Sequence, residues 1–321
     1  MDRLKKKGGR VLIIDNIHPI LKEKLNNFGF ECTVKLDISY DSLIDQIKDF
    51  TGIIIRSRFC LKKDFFDAAG NLVFVGRVGS GLENIDTKYA EALGVQCVNS
   101  PEGNRDAVGE HALGLLMALM RNICKADKEI RAGKWLREQN RGCEIMGRTI
   151  GIIGYGNTGS AFARKLSGFE ANVIAYDKYK SGFQNQHVEE TTLEDIFERA
   201  DIVSLHVPLT DETRYMANSR FFEKFKKSIY FINTSRGQVV DTKSLVSAIK
   251  SDKVIGAVLD VLEYESSSFE QLRPGKRPEA LRYLMESERV VISPHVAGVT
   301  FEAQYKLANV LYEKIESIYK D

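Results

Sequence analysis

Short apolar runs alternate with amphipathic stretches along almost the whole chain, and this order restricts the possible folds more than any other feature. The runs lie at 10–15, 52–55, 72–75, 95–98, 149–153, 172–176, 202–206, 229–232, 254–259 and 289–292, with helical patterns between most of them. A strand that is apolar on both faces must be covered on both. The sequence therefore predicts parallel sheets flanked by helices, an α/β fold. At 321 residues the chain exceeds what one core usually organises, so two domains are expected. Lys24-Leu25 followed by Phe28 recurs as Lys165-Leu166 followed by Phe169, at an offset of 141 residues. Each set follows an apolar strand and precedes a second one, as two related α/β lobes would produce.

Residues 104–132 read as one long helix linking the lobes, with Leu113, Leu116, Met117 and Met120 on one face. After His295 only 26 residues remain, and Ala303, Leu307, Val310, Leu311 and Ile315 form a helical stripe. One terminal helix cannot build a domain, so it is expected to pack back on the first lobe.

Gly154, Gly156 and Gly159 form G-x-G-x-x-G between the 149–153 strand and a helix running to Ser167. The first glycine allows a tight turn, the second lets a pyrophosphate approach the backbone, and the third lets helix and strand pack closely. The helix N-terminus then offers N–H groups and a favourable dipole to phosphates. The next strand ends at Asp177, 18 residues beyond Gly159, where an acid can bond the adenosine ribose diol. Such an acid repels a 2′-phosphate, so NAD is expected over NADP, although Lys178 and Lys180 stand against this.

Three later strand ends carry charge. Ile232-Asn-Thr-Ser-Arg236-Gly237 ends in an arginine, Leu259-Asp260-Val-Leu-Glu-Tyr-Glu265 carries acids, and Val291-Ile-Ser-Pro-His295 ends in a histidine. In open α/β sheets the C-terminal strand ends face the ligand crevice. Taken singly, each has an ordinary structural reading. Together they supply an arginine fork for a carboxylate and carbonyl, a histidine that exchanges a hydroxyl proton, and a carboxylate that fixes the imidazole tautomer. These are the protein groups that hydride transfer between an alcohol carbon and a nicotinamide requires.

Other classes find little support. Lys plus Arg total 46 against 44 Asp plus Glu, a net of +2, which points to neither nucleic acid nor an anionic membrane as partner. Lys5-Lys6-Lys7 reads as a solvated tail. The five cysteines (Cys32, Cys60, Cys97, Cys124 and Cys143) form no C-x-x-C pair, so neither a disulfide framework nor a metal site is expected. The longest apolar run, 112–120, is too short to span a bilayer, and no signal core follows the N-terminus. A cytoplasmic protein is expected.

These segments resemble the D-isomer-specific 2-hydroxyacid dehydrogenase family, particularly its phosphoglycerate dehydrogenase branch. The likeness covers nearly the whole chain. It runs through Ile55-Arg56-Ser57-Arg58, Arg77-Val-Gly-Ser-Gly-Leu-Glu-Asn-Ile-Asp86, the glycine loop and His206-Val-Pro-Leu-Thr210. It continues through Asn233-Thr-Ser-Arg-Gly237 with Val240-Asp241, Leu259-Asp260-Val261 with Glu265, and Ser293-Pro-His295 with Gly298.

The resemblance implies two Rossmann-like lobes, with residues 1–103 and 299–321 forming a substrate domain and 104–298 an inserted NAD-binding domain. It implies that Arg236 binds the substrate carboxylate and carbonyl oxygen, that His295 is the acid/base and that Glu265 is its partner. Asn157 and Thr158 would sit at the pyrophosphate and Asp177 at the ribose. Thr234, Ser235 and Arg236 would line the nicotinamide half, and Asp260 would contact the carboxamide end. His206, Pro208, His295 and Gly298 complete the expected cofactor contacts. The Val78-Gly79-Ser80-Gly81 turn, with Arg56 and Ser57, would meet the substrate.

Two departures stand out. The family's Asp-Val-Phe-x-x-Glu-Pro reads Asp260-Val-Leu-Glu-Tyr-Glu265-Ser266 here, which makes Glu263 a rival to Glu265, although the five-residue spacing from Asp260 favours Glu265. The 266–278 segment is polar and longer than usual. The chain also ends without the regulatory domain of longer phosphoglycerate dehydrogenases, so feedback by serine through such a domain is not expected.

The favoured substrate is D-3-phosphoglycerate, with Arg56, Arg58 or Arg77 meeting the phosphate. Arg56 and Arg58 alternate along a strand, so only one is expected to face the site. Glyoxylate, hydroxypyruvate and D-lactate are alternatives, and a non-catalytic NAD(H)-sensing protein is the alternative of another class. A homodimer through the cofactor lobe is expected, with Trp135 either at its interface or packed in the core.

Overall fold

The computed structural model describes residues 8–266, 272, 275 and 277–320. The Lys5–Lys7 run and most of the 266–278 segment lie outside the described residues. Twelve strands are described: β1 (Gly9–Ile13), β2 (Phe30–Val34), β3 (Gly52–Ile55), β4 (Phe74–Arg77), β5 (Gln96–Asn99) and β6 (Thr149–Ile153), then β7 (Asn172–Tyr176), β8 (Glu189–Glu190), β9 (Ile202–Leu205), β10 (Ile229–Asn233), β11 (Val254–Leu259) and β12 (Val290–Ile292). The helices are α1 (Pro19–Phe28), α2 (Tyr40–Gln46), α3 (Lys63–Ala68), α4 (Thr87–Ala92), α5 (Arg105–Met120) and α6 (Ile123–Arg131), then α7 (Asn157–Lys165), α8 (Leu193–Arg199), α9 (Ser219–Lys224), α10 (Thr242–Lys250), α11 (Glu279–Glu286) and α12 (Phe301–Ile318). The chain forms two compact units. Of the described residues, the first takes those up to Asn104 and from Val299 on, and the second those from Arg105 to Ser266 and on to Gly298.

The first unit is a five-stranded parallel sheet ordered β2-β1-β3-β4-β5. Its central strands are apolar on both faces, and Val11, Leu12, Ile13, Ile53, Ile54 and Ile55 are all buried. One face packs on Leu43, Ile47, Phe65 and Phe66. The other is covered by α1 and by Leu307, Ala308, Leu311 and Ile315 of α12, so the end of the chain completes the core of its beginning. Local sequence sets the helix ends. Pro19 opens α1 and Gly29 closes it in the left-handed region at φ 112°. Thr300 caps α12 by accepting from Ala303 N at 3.0 Å.

The second unit is a seven-stranded parallel sheet ordered β12-β11-β10-β9-β6-β7-β8. The order reverses between β6 and β9, and in open sheets ligands bind at such a point, outside the carboxyl ends of the strands. β1–α1–β2 and β6–α7–β7 are equivalent parallel crossovers, which accounts for the repeated Lys-Leu-x-x-Phe spacing.

The structure departs from the sequence reading in four places. The 104–132 helix is two helices, because Asn122 adopts φ 54° and ends the first. α6 buries no residue, so the core-facing stripe stops with α5 at Met120. Trp135 is 78% exposed, which rules out core packing. Arg56 and Arg58 lie beyond the end of β3 and so do not alternate on a strand.

Candidate functional site

In the second unit the charged motifs fall on consecutive strand ends. The glycine loop follows β6, Asp177 follows β7, His206 follows β9, Thr234 to Arg236 follow β10, Asp260 follows β11 and His295 follows β12. The parallel registers Asn233↔Leu259 and Leu259↔Ile292 bring the last three ends together.

The glycine loop fits a dinucleotide on its own geometry. A Cβ on Gly154 would lie 2.5 Å from the His206 carbonyl oxygen, and one on Gly159 would lie 2.0 Å from the Gly154 carbonyl oxygen. Both positions therefore require glycine, and Gly154 also has φ 96°. A Cβ on Gly156, by contrast, would meet nothing within 4 Å, which leaves the backbone open to a phosphate. α7 begins at Asn157, and its first turn has N–H groups without intrahelical partners. Asp177 receives N–H bonds from Tyr155 at 2.7 Å, Tyr179 at 2.9 Å and Lys180 at 3.0 Å. This leaves acceptor capacity for a ribose hydroxyl. Further along the sheet edge, the Thr234 hydroxyl is buried with no protein partner among the described residues, which leaves it for a ligand or a water. These residues fit a nicotinamide dinucleotide.

His206, expected at the cofactor, has no ring nitrogen left free for it. Its ring is buried and both nitrogens are engaged, Nε2 with Ser204 Oγ at 2.9 Å and Nδ1 with Thr158 Oγ1 at 3.2 Å. Burial pushes this imidazole down to about 3, so it stays neutral and supports the glycine loop from behind. Pro208 is exposed in the loop after β9, where its carbonyl accepts from Thr213 Oγ1 at 2.5 Å.

The β10 end is shaped by Asn233, a residue to which the sequence reading gave no role of its own. Its buried Oδ1 accepts from Ser235 N at 3.0 Å and Ser235 Oγ at 2.7 Å, while its Nδ2 donates to the Arg236 carbonyl at 3.0 Å. The Arg236 guanidinium donates to the Ser235 carbonyl at 2.7 Å. A Cβ on Gly237 would lie 2.0 Å from the Leu262 carbonyl oxygen, so glycine lets this turn press against the loop after β11.

In that loop Glu265, and not its rival Glu263, faces His295. Glu265 Oε2 meets His295 Nδ1 at 2.8 Å, and its Oε1 accepts from Leu262 N. Glu263 turns elsewhere, accepting from Tyr215 Oη and from Thr242 N, both at 3.1 Å. His295 and Glu265 are 25% and 13% exposed in their side chains, dry enough for the pair to matter and open enough to reach a substrate. His295 has φ 55°, a left-handed conformation that costs a non-glycine residue about 1–3 kcal/mol.

Asp260 holds His295 there. Its backbone carbonyl accepts from His295 N at 2.8 Å. Its carboxylate accepts from Ser293 Oγ at 2.6 Å, Val296 N at 2.9 Å and Ala297 N at 2.9 Å. Burial alone would push this carboxyl up. The bonds from His111, Ser293, Ala297 and Val296 outweigh burial and hold it below the usual carboxylate range. Hydrogen bonds to a charged group contribute about 1.5–3 kcal/mol each, enough together to offset the strain at His295. The carboxylate expected at the carboxamide is thus first a clamp on the 293–297 turn, and Gly298 follows that turn.

In the first unit, three arginines were candidates for a phosphate. The Arg58 guanidinium donates to the carbonyls of Ile14, at 3.2 Å, and Leu36. Arg77 is buried and its Nε donates to the Arg56 carbonyl at 3.0 Å. The Arg56 side chain is half-buried, and its guanidinium has no protein partner among the described residues. The Arg56 backbone N–H donates to Asp15 Oδ2 at 2.5 Å. Ser57 follows directly after Arg56. In the 78–81 turn, the Val78 N–H is used by the Ile55 carbonyl, while the backbone N–H groups of Gly79, Ser80 and Gly81 donate to no group among the described residues; the Ser80 hydroxyl donates to Asn104 Oδ1 at 2.7 Å.

Comparison with known proteins agrees with this geometry. Residues 113–297 match the NAD binding domain of the D-isomer specific 2-hydroxyacid dehydrogenases. The chain is 33% identical to the D-3-phosphoglycerate dehydrogenase of Archaeoglobus fulgidus, over 97% of this chain but only 57% of that protein. It is 35% identical to the hydroxypyruvate reductase of Thermotoga maritima, over 86% of this chain and 87% of that protein. Among solved structures, the TT0316 protein of Thermus thermophilus superposes with a TM-score of 0.81 at 26% identity, covering 97% of both chains. With the strand-end constellation, the glycine loop and these likenesses in agreement, the chain belongs to the D-isomer specific 2-hydroxyacid dehydrogenase family.

Proposed function

We propose that this protein is an NAD-dependent dehydrogenase that interconverts a D-2-hydroxy acid and its 2-oxo acid. The observation that carries this reading is the His295–Glu265 pair at 2.8 Å, on a strained turn beside the Arg236 strand end. The nicotinamide, when bound, supplies or accepts the hydride. The Arg236 guanidinium fork binds the carboxylate and polarises the carbonyl oxygen. With Nδ1 facing Glu265, His295 uses Nε2 to give a proton to that oxygen during reduction and to take it back during oxidation. Glu265 fixes the tautomer and stabilises the imidazolium. Asp177 favours NAD, since a 2′-phosphate would meet its charge. The 104–298 segment serves as the NAD-binding domain, and the remainder as the substrate domain.

The best-supported substrate pair is D-3-phosphoglycerate and 3-phosphohydroxypyruvate, which places the enzyme in serine biosynthesis. Arg56 supports it, as a half-buried guanidinium without a protein partner among the described residues. The N–H groups of Gly79 to Gly81 serve as an oxyanion site. Glyoxylate, hydroxypyruvate or D-lactate is the second reading, favoured by the reductase likeness over most of both chains. Two further readings accompany this one. The protein pairs as a homodimer through its cofactor domain, supported by exposed Trp135, Ile123 and Ile130 on and after α6. It works in the cytoplasm, where five unpaired cysteines are at home. No helix among the described residues is long and apolar enough to cross a membrane.

The test is NADH oxidation with 3-phosphohydroxypyruvate, hydroxypyruvate, glyoxylate and pyruvate. A kcat/KM at least about tenfold higher for the phosphorylated acid supports the phosphoglycerate reading, and Arg56→Ala should then erase most of that margin. Preference for an unphosphorylated acid removes the phosphate role of Arg56. NADH binding without turnover of any of them favours the sensing alternative.

A further inference from the structure

The clamp on the 293–297 turn has a member outside the strand ends. His111 sits in the second turn of α5, far from the glycine loop and the charged motifs in sequence. Its Nε2 lies 2.9 Å from Ser293 Oγ and 3.4 Å from Asp260 Oδ1. Ser293 Oγ in turn donates to Asp260 Oδ1 at 2.6 Å. The hydroxyl has one proton, and the carboxylate can only accept it. The Ser293 oxygen must therefore accept from His111, which fixes a proton on Nε2. The relay runs from α5 through Ser293 to Asp260, and from Asp260 to the N–H groups of His295, Val296 and Ala297.

The geometry around this relay gives it a purpose. His295 has the positive φ, and Pro294 separates it from Ser293. The turn is thus pinned on both sides of the proline to one residue: Ser293 before it and the Val296 and Ala297 N–H groups after it bind the Asp260 carboxylate, and the His295 N–H binds the Asp260 carbonyl. Asp260 is 1% exposed, so water does not replace a lost donor easily. His111 reaches Ser293 and Asp260 from α5, a helix that packs on β11 and β12.

We infer that His111 is a positioning residue: through Ser293 and Asp260 it holds the strained turn that aims the His295 imidazole. This rests on the hydride-transfer reading above. A misplacement of about 1 Å at a reacting group lowers a rate by up to about 100-fold, so a small relaxation of this turn is enough to be measured.

The experiment compares His111→Leu, His111→Gln and the unmodified protein. Gln places an amide N–H where Nε2–H stood, and Leu fills the space without a donor. Three quantities are read: NADH affinity by fluorescence, kcat with the best 2-oxo acid, and amide hydrogen exchange at Val296 and Ala297. For His111→Leu we expect kcat to fall roughly tenfold or more, exchange at both amides to accelerate to a similar degree, and NADH affinity to hold within about twofold. His111→Gln should recover most of both losses. Unchanged exchange with kcat within about twofold in His111→Leu overturns the inference, as does a Gln variant no better than Leu. Should the unmodified protein turn over no 2-oxo acid, the enzymatic reading fails, while faster exchange in His111→Leu still supports the positioning role and unchanged exchange refutes it.

Discussion

Gly237→Ala tests the way the arginine turn and the glutamate turn are held together. An added Cβ would stand 2.0 Å from the Leu262 carbonyl oxygen and 2.6 Å from Glu263 N, whereas ordinary contact begins at 3.4 Å. Both neighbours are backbone, so neither can rotate away, and the loop after β11 must retreat by more than an ångström. That loop carries Glu265, whose two oxygens hold Leu262 N and His295 Nδ1. Overpacking of this kind costs about 1–3 kcal/mol. In a unit of this size that lowers Tm by roughly 2–4 °C per kcal/mol. Displacing the pair by this much should cut kcat on the order of 100-fold. NADH affinity should hold, since the glycine loop follows β6, separated from β10 by β9. Thermal melts, NADH fluorescence titration and steady-state NADH oxidation read the three quantities. Gly114→Ala is the control: it lies within α5 with nothing within 4 Å of its Cβ and should gain about 0.5–1 kcal/mol. A Gly237→Ala protein with the Tm and kcat of the unmodified chain would refute the reasoning.

Three further outcomes are expected. His206 is held near 3 by burial, against an ordinary value near 6.5, so the unfolded chain binds a proton between these values that the folded one does not. Its contribution to stability is complete above about pH 6.5 and declines by about 1.4 kcal/mol per unit as pH falls towards 3. His206→Gln should flatten the Tm-against-pH curve in that window, and identical curves would contradict the assignment. Glu265→Gln should lower kcat on the order of 100-fold, while Glu263→Gln should mainly lower Tm; steady-state kinetics showing the reverse would exchange the two glutamates. Asp177→Ser should shift the NADPH-to-NADH affinity ratio roughly tenfold towards NADPH, and an unchanged ratio in titration would remove Asp177 from the ribose.

Most of the strands could be read from sequence because they are buried on both faces: β3, β6, β7 and β11 begin and end where their apolar runs do. Phe30–Val34 was not picked out as a strand because it is a partly exposed sheet edge with only Phe30 buried. The break at Asn122 was hidden by an apolar stripe that leads straight up to it, since a single left-handed residue leaves no mark on periodicity. In the site, spacing from Asp260 favoured Glu265, but only coordinates show Glu263 engaged by Tyr215 and Thr242. Arg236, Glu265 and His295 could be found because each stands at the end of an apolar run. His111 stands inside a helix, 182 residues from Ser293, and nothing in the local pattern of α5 reports that contact. His206 and Asp260 carried a correct signal of location and an incomplete one of role, because burial and the direction of hydrogen bonds are properties of the assembled strand ends.

The central claim is that His295 exchanges the proton that accompanies hydride transfer. Its most direct test is kcat for His295→Ala with the best 2-oxo acid, measured at saturating NADH and set beside the NADH dissociation constant of the same variant. We predict a fall in kcat of at least about 100-fold with the dissociation constant within about twofold of the unmodified protein. Near-normal turnover would contradict the account.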